Sequence, residues 1–272
     1  MTTDLPAAAQ DRPWRDPTVL TAVLLNLAVF AYALLAAHTD PGALDRLLVE
    51  DGLLEWLQFL AFGLLSGVLA LVAIERGARP GGAGRDVLVI GGLSVVVALA
   101  ALEEVSWFQR VLDFDSPAFF RSHNRQGETN LHNMAVAGSS VNKLILVRLI
   151  ILVAIVHNLV LPILARHSAR LRRWVGDWGL YIPPLSAAVP FLVLTLLSHL
   201  AIDHARVGEL GEAFAAVHYL ATAAAAYGLG MGHAAAGAFT CAPDRRRASV
   251  LFAALLLGLV FVAWLLAAAY GR

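Results

Sequence analysis

Residues 86–110 read DVLVIGGLSVVVALAALEEVSWFQR. From Val87 to Leu102 the run carries no charge, and then Glu103, Glu104, Gln109 and Arg110 follow within eight residues. About 20 apolar residues cross the hydrocarbon core of a bilayer as a helix. Ionisable groups crowded at the end of such a helix are costly to desolvate, so they sit there for a function or for a partner. The stretch predicts an all-α, polytopic membrane bundle with its chemistry at one end.

The whole chain agrees with that reading. Of 272 residues, 59% are hydrophobic and 15% charged, and the mean hydropathy is +0.70. Soluble domains carry roughly 45–50% apolar and about 25% charged residues. A net charge of zero gives no reason to expect nucleic acid as a partner. The single cysteine, Cys241, rules out an intramolecular disulfide and argues against a cysteine metal site. Residues 1–17 are polar, with Arg12, Arg15 and three aspartates. They are expected to form a short cytoplasmic tail, because the apolar run that follows is too long for a cleavable signal.

Seven apolar runs are expected to span, at about 18–37, 53–74, 86–106, 141–165, 181–200, 211–232 and 248–270, within one membrane domain covering 1–272. With the N-terminus on one side, twelve of the 20 basic residues fall on that side, in the tail and around 76–85, 166–173 and 245–247. The positive-inside rule then puts the N-terminus in the cytoplasm and the C-terminus outside. In a bacterium this is the inner membrane. The acids run the other way: thirteen of 20 are outer, among them Glu55, Glu103, Glu104, Glu128, Asp203, Glu209 and Glu212.

Five helix ends thus bring acids and imidazoles to one level, a natural setting for a polar cavity. Glu128 and His132 are four residues apart, as are His199 and Asp203, and Glu209 and Glu212 are three apart. On a helix each pair shares a face. Carboxylate–histidine pairs ligate zinc or iron, or orient each other for proton transfer. The candidate catalytic residues are Glu103, Glu104, His132 and Ser106, and the candidate metal ligands are Glu104, Glu128, His132, His199 and Asp203. Plainer roles exist for all of them. Glu55 with Trp56 reads equally as an interface anchor. Glu103 and Glu104 would also pair with Arg110 or Arg148. His157 and His218, in mid-span, serve as hydrogen-bond donors between helices. The Gly/Ala-rich stretch 221–238 reads as a close-packing face.

The third loop, 107–140, is expected to fold over 111–140 as a lid. Asp115 or Ser116 would cap a short helix with Pro117 in its first turn. Phe114, Phe119 and Phe120 would give that helix an interfacial apolar face.

Glu103, Glu104, Ser106, Trp107, Gln109 and Arg110, followed by Asn124, Gln126, Glu128, Asn130, Leu131, His132 and Asn133, resemble the pattern E-E-x-S-W-G-Q-R … N-x-Q-x-E-x-N-L-H-N of a family of uncharacterised bacterial multi-pass membrane proteins. Phe108 stands where that pattern has glycine. The resemblance covers about 31 residues and implies kinship without a reaction. In span number and in its Ser, Asp and His set, the chain is also similar to the seven-span hydrolases that include alkaline ceramidases and adiponectin receptors. It departs from them in having no histidine in 248–270.

These features lead first to a membrane-embedded enzyme, a metal-assisted hydrolase of a lipid or lipid-linked substrate at the outer face. A divalent zinc or iron ion would activate water there. A transporter or small-ligand and cation-binding protein is the alternative, and it requires a polar path leading inward. A membrane assembly subunit, docking through the third loop, is the third reading. Membrane lipids surround the protein in all three.

Overall fold

In the computed structural model, residues 16–78, 84–131, 133–136, 139–140, 147–231 and 242–270 are described. Each of the seven apolar runs holds a helix, residues 141–146 and 232 of the expected runs lying outside the described residues: α1 (Pro17–Thr39), α3 (Leu53–Gly77), α4 (Arg85–Glu104), α7 (Val147–Ile155) continued through a π-turn into α8 (Leu161–His167), α10 (Leu185–Ala201), α11 (Gly208–Ala223) and α12 (Ala242–Tyr270). Shorter helices connect them: α2 (Pro41–Leu48), α5 (Gln109–Leu112), α6 (Ala118–His123) and α9 (Ala169–Asp177). Ala135–Val136 and Ser139–Ser140 form a two-residue antiparallel ladder.

Local chemistry sets the ends. Asp16 caps α1, accepting from the amides of Thr18 and Val19 at 2.9 and 3.2 Å, with Pro17 in the first turn. Asp40 caps α2 in the same manner ahead of Pro41, and Ser168 caps α9 through the Leu171 amide. Each cap satisfies amides that an isolated helix leaves unpaired.

Among the described residues, five helical stretches are long and apolar enough to cross a membrane: Pro17–Thr39, Pro41–Gly77, Arg85–Glu104, Val147–His167 and Arg246–Tyr270. Most of their apolar surface points away from the protein: only 11% of the Val147–His167 window and 17% of the Arg246–Tyr270 window is buried. In water such a surface would be a liability; facing lipid tails it is the stable arrangement. The chain is a helical membrane bundle. α10, at 17 residues, covers about 26 Å. α11 runs on through a π-turn, Ala224–Gly228, to reach about 31 Å.

α11 is the central helix, packed by α1, α3 and α10. Its alanines make this possible: Ala213, Ala216, Ala221 and Ala223–Ala226 are all nearly inaccessible, and small residues let backbones approach closely. α3 and α4 are tied by a reciprocal pair, each of Ser66 and Ser94 donating its hydroxyl to the other's carbonyl at 2.9 Å. The helices alternate in direction. At one end the starts of α1, α10 and α12 meet the end of α11 through Val19, Ala187, Ala248, Ala225 and Leu229. At the other, the end of α1 and the start of α3 meet the end of α10 and the start of α11 through Ala36, Leu54, Ile202 and Leu210. That second end carries the acids.

Candidate functional site at the acidic end

Three breaks in the helical path place the polar groups. Between α2 and α3, Asp51 turns through a left-handed backbone (φ 54), and the Glu55 carboxylate reaches back to accept its amide at 2.6 Å. After α4, Ser106, Trp107 and Phe108 are all left-handed, with φ 47, 57 and 59. Three consecutive non-glycine residues in this region store conformational energy, of order 1–2 kcal/mol each. The turn reverses the chain so that Arg110 points back over the bundle. Between α10 and α11, residues 202–207 deliver Arg206.

The two arginines and two glutamates close a ring of alternating charge. Arg110 Nη1 lies 3.2 Å from Glu50 and its Nη2 lies 3.8 Å from Glu55. Arg206 meets the same two acids from the other side, both at 3.2 Å, and adds Glu209 at 3.6 Å. Arg110 further pairs with Asp51 at 2.7 Å and with Glu128 at 2.8 Å. A guanidinium presents five donors in a planar fork, which is why one arginine serves four carboxylates.

Glu128 carries the third loop into this ring. Its other oxygen accepts the Ser106 hydroxyl at 2.7 Å and the Asn130 amide at 3.1 Å, and Asn130 also donates to Ser106 Oγ at 2.8 Å. Ser106 and Asn130 are each 1% exposed, so the triangle is sealed. Asn124 closes the loop, donating to Asn130 and accepting the Gln126 amide. Gln109 accepts from Ser116 and from the Thr129 amide. Gln126 reaches Glu50.

Below the ring lies a second group of acids. Glu104 has Glu212, Glu209, Glu55 and Glu103 as its electrostatic neighbours. Among the described residues, neither Glu104 nor Glu212 has an ion pair or a hydrogen bond. Gln58, one turn below Glu55 and fully buried, donates to the Glu209 carbonyl at 3.1 Å. Its own carbonyl oxygen has no hydrogen-bond partner.

Polar groups continue inward along α11. His218 bonds Asn158 at 2.8 Å, and Asn158 donates to the Tyr219 hydroxyl at 2.8 Å. Thr222 bonds Tyr181 at 2.9 Å. Tyr227 and Arg76 both donate to the Gly179 carbonyl, at 3.1 and 3.4 Å, and Arg76 pairs with Asp86 at 3.6 Å near the opposite end. His157 and Asn158 lie in the π-turn Val156–Val160, a distortion that recurs at functional positions.

The expected site residues divide accordingly. Ser106 and Glu128 come together through a hydrogen bond, Glu103 accepts the Leu131 amide of the third loop, and Glu104 lies instead among the second group of acids, while His132 lies outside the described residues. His199 and Asp203 do not join them. Both are exposed, and α10 ends at Ala201, between them, so they share no helical face. Glu128 is likewise in a loop and not on a helix; Glu209 and Glu212 do share α11. Glu103 accepts from the Trp107 indole at 2.9 Å. Arg110 was open to pairing with Glu103 or Glu104 in the sequence; it turns instead to Glu50, Asp51, Glu55 and Glu128. α6 begins after Pro117 without a side-chain cap, because Ser116 is taken by Gln109. Among the described residues, no three acid, histidine or cysteine side chains are close enough to hold a metal ion. Sequence reading did not single out Glu50, Asp51, Gln58 or Arg206 as site residues, and it named Asn130 only within the loop pattern. The Glu-Asp-Gly turn ahead of α3 was the available signal for the first two.

No family model, curated protein or solved structure matches the chain.

Proposed function

We propose that this protein is a membrane-embedded carrier for a small cation, taken up at the acidic end and led inward along α11. The observation that carries this reading is the polar row on that helix. Glu209, Glu212, Tyr219 and Thr222 recur on one broad face, with His218 beside them, and they lie in a row from the acid group toward the middle of the bundle. Glu212 and Tyr219, seven residues apart, stack about 10 Å apart along the axis. Polar side chains inside a bundle are costly and mark ion and substrate paths. An excess of carboxylates over the two paired arginines favours a cationic cargo.

This reading includes seven crossings, with α10 and α11 as the two shorter ones. The acidic end faces outward from a bacterial inner membrane. The test is flux. Protein reconstituted in vesicles should carry rubidium or protons, followed with a trapped pH dye, and Glu104→Gln with Glu212→Gln should abolish the flux. Parent-level flux in that double variant would overturn the reading.

An enzyme remains the second reading, favoured by one observation. Ser106 sits on a strained turn with its hydroxyl on a carboxylate, an arrangement that activates a nucleophile. Ser106→Ala would abolish hydrolysis of a lipid ester under this reading. A zinc or iron version needs His132 beside Glu104 and Glu128, and elemental analysis of the purified protein tests it.

A further inference from the structure

The charges on α9 run against its own stability. Arg170 stands in its first turn and Asp177 at its last position, the reverse of what the helix dipole favours. Arg170 and Arg173, three residues apart, put two like charges side by side on the helix surface, which costs more. Among the described residues, Arg166, Arg170, Arg173 and Asp177 make no ion pair, and all four are exposed. The positive-inside rule accounts for arginine anywhere at this end of the bundle. It does not account for two on one turn of a fixed helix with a tryptophan beside them.

α9 is fixed at the level where α8 ends. Ser168 caps it through the Leu171 amide, Leu171 and Val175 pack its inner side against Ala165 and Ile182, and Arg172 turns inward to the Ala165 carbonyl. Just before that level, Ile163 and Leu164 of α8 are exposed, as residues facing lipid tails are. The outer side of α9 carries Arg170 and Arg173, and Trp174 borders them, 54% exposed; the i, i+3, i+4 spacing puts the three on one face. Trp178, by contrast, lies under the Arg85 guanidinium at 5.7 Å. Indole favours the headgroup level of a bilayer, and the guanidinium fork matches phosphate in charge and shape.

We propose that this face of α9 is a binding site for an anionic phospholipid, its phosphate held by Arg170 and Arg173, with Trp174 at the depth of the glycerol backbone and Arg166 adding to the local positive charge. The site rests on neither the carrier nor the enzyme reading. A zwitterionic headgroup brings its own cation to the arginines and gains less from them.

Purified full-length protein in detergent is offered equal amounts of phosphatidylglycerol and phosphatidylcholine with the same acyl chains, and bound lipid is counted by native mass spectrometry. The parent should prefer phosphatidylglycerol by about tenfold or more, and Arg170→Gln and Arg173→Gln should each lower that preference about fivefold. The double variant should bind the two lipids nearly equally, and Asp177→Asn, which removes the acid from the same face, should raise the preference. Arg121→Gln with Arg125→Gln is the control: both arginines, in the third loop, are exposed and without an ion pair among the described residues. Removing them takes away the same charge and should change nothing. Arg170→Lys with Arg173→Lys should keep most of the preference, which shows that loss in the glutamine variants is not misfolding. An excess of inorganic phosphate should not displace the lipid. No preference in the parent, an undiminished preference in the double glutamine variant, an equal loss in the control, or displacement by inorganic phosphate would each overturn the proposal.

Discussion

Arg110 closes on Glu128 at 2.8 Å, eighteen residues further along the chain, and this contact fastens the third loop to the bundle. The arginine is 19% exposed and the glutamate 14%. Removing one partner of a largely buried ion pair leaves the other charge uncompensated, at a cost of about 3–5 kcal/mol. Residual solvent access reduces that to about 2–4 kcal/mol here. Arg110→Met should therefore lower the melting temperature in detergent sharply. Arg110→Lys should recover only part, since one ammonium cannot reach Glu50, Asp51 and Glu128 together. Adding Glu128→Gln to Arg110→Met should restore stability relative to Arg110→Met alone. Additive losses would show that the pair does not couple.

Phe108 tests the left-handed turn. Its ring packs edge-on against Phe59 at 5.1 Å, so deleting the ring destabilises whatever the backbone does. Comparing two deletions isolates the backbone. At φ 59 alanine is strained and glycine is not, so Phe108→Gly should be more stable than Phe108→Ala by about 1 kcal/mol. Equal or reversed stabilities in chemical denaturation would mean the turn is not left-handed.

How much of this was legible in the sequence follows from what each signal measures. Hydropathy reports transfer into lipid, and each of the seven runs it marked holds a helix, five helical stretches being long and apolar enough to cross a membrane. It also placed Glu55, Glu104, Glu209 and Glu212 at one end, because helix direction alternates. Spacing was a poorer guide, because it assumes a helix. His199 and Asp203 separate where α10 ends, and Glu128 lies in a loop that Asn124 and Asn130 shape. Which acid Arg110 would choose was not legible. That depends on three left-handed residues, and nothing in Ser-Trp-Phe announces them. The bond from His218 to Asn158 joins helices far apart in sequence. Asn158 does not stand out from its apolar run, except as a polar group at membrane depth.

Gly179 joins the polar row to the other end of the bundle. It is left-handed (φ 74), and a Cβ there would lie 2.6 Å from Arg76 Nη1 and 2.8 Å from both Asp86 Cβ and Ile90 Cδ1. Gly179→Ala combines backbone strain with displacement of Arg76 from the Gly179 carbonyl, for a loss of about 2–4 kcal/mol. Gly176→Ala is the control. It lies within α9 with nothing within 4 Å of the added carbon, and should be neutral or stabilising by up to about 1 kcal/mol. Thermal unfolding of the two variants side by side should show opposite or clearly unequal shifts.

The last prediction concerns the frame that all these groups share. Thr18 near the start of α1 bonds Ser249 near the start of α12, hydroxyl to hydroxyl at 3.1 Å and hydroxyl to carbonyl at 3.1 Å. Trp56, at the start of α3, meets Tyr270 at the end of α12, ring centroids 6.0 Å apart. α1 and α12 are therefore parallel, and they finish at the acidic end. An odd number of crossings follows if both span, and the proposed count is seven. The opposite end holds Arg76, Arg85 and, in α8 and α9, Arg166, Arg170, Arg172 and Arg173, and the positive-inside rule predicts that such a density of arginine stays cytoplasmic. A reporter fused after Tyr270 should be active only outside, and one inserted at 170–173 only in the cytoplasm. If both report from the same side, either α10 or α11 does not cross, and the acids of α11 lose their place at an outward-facing mouth.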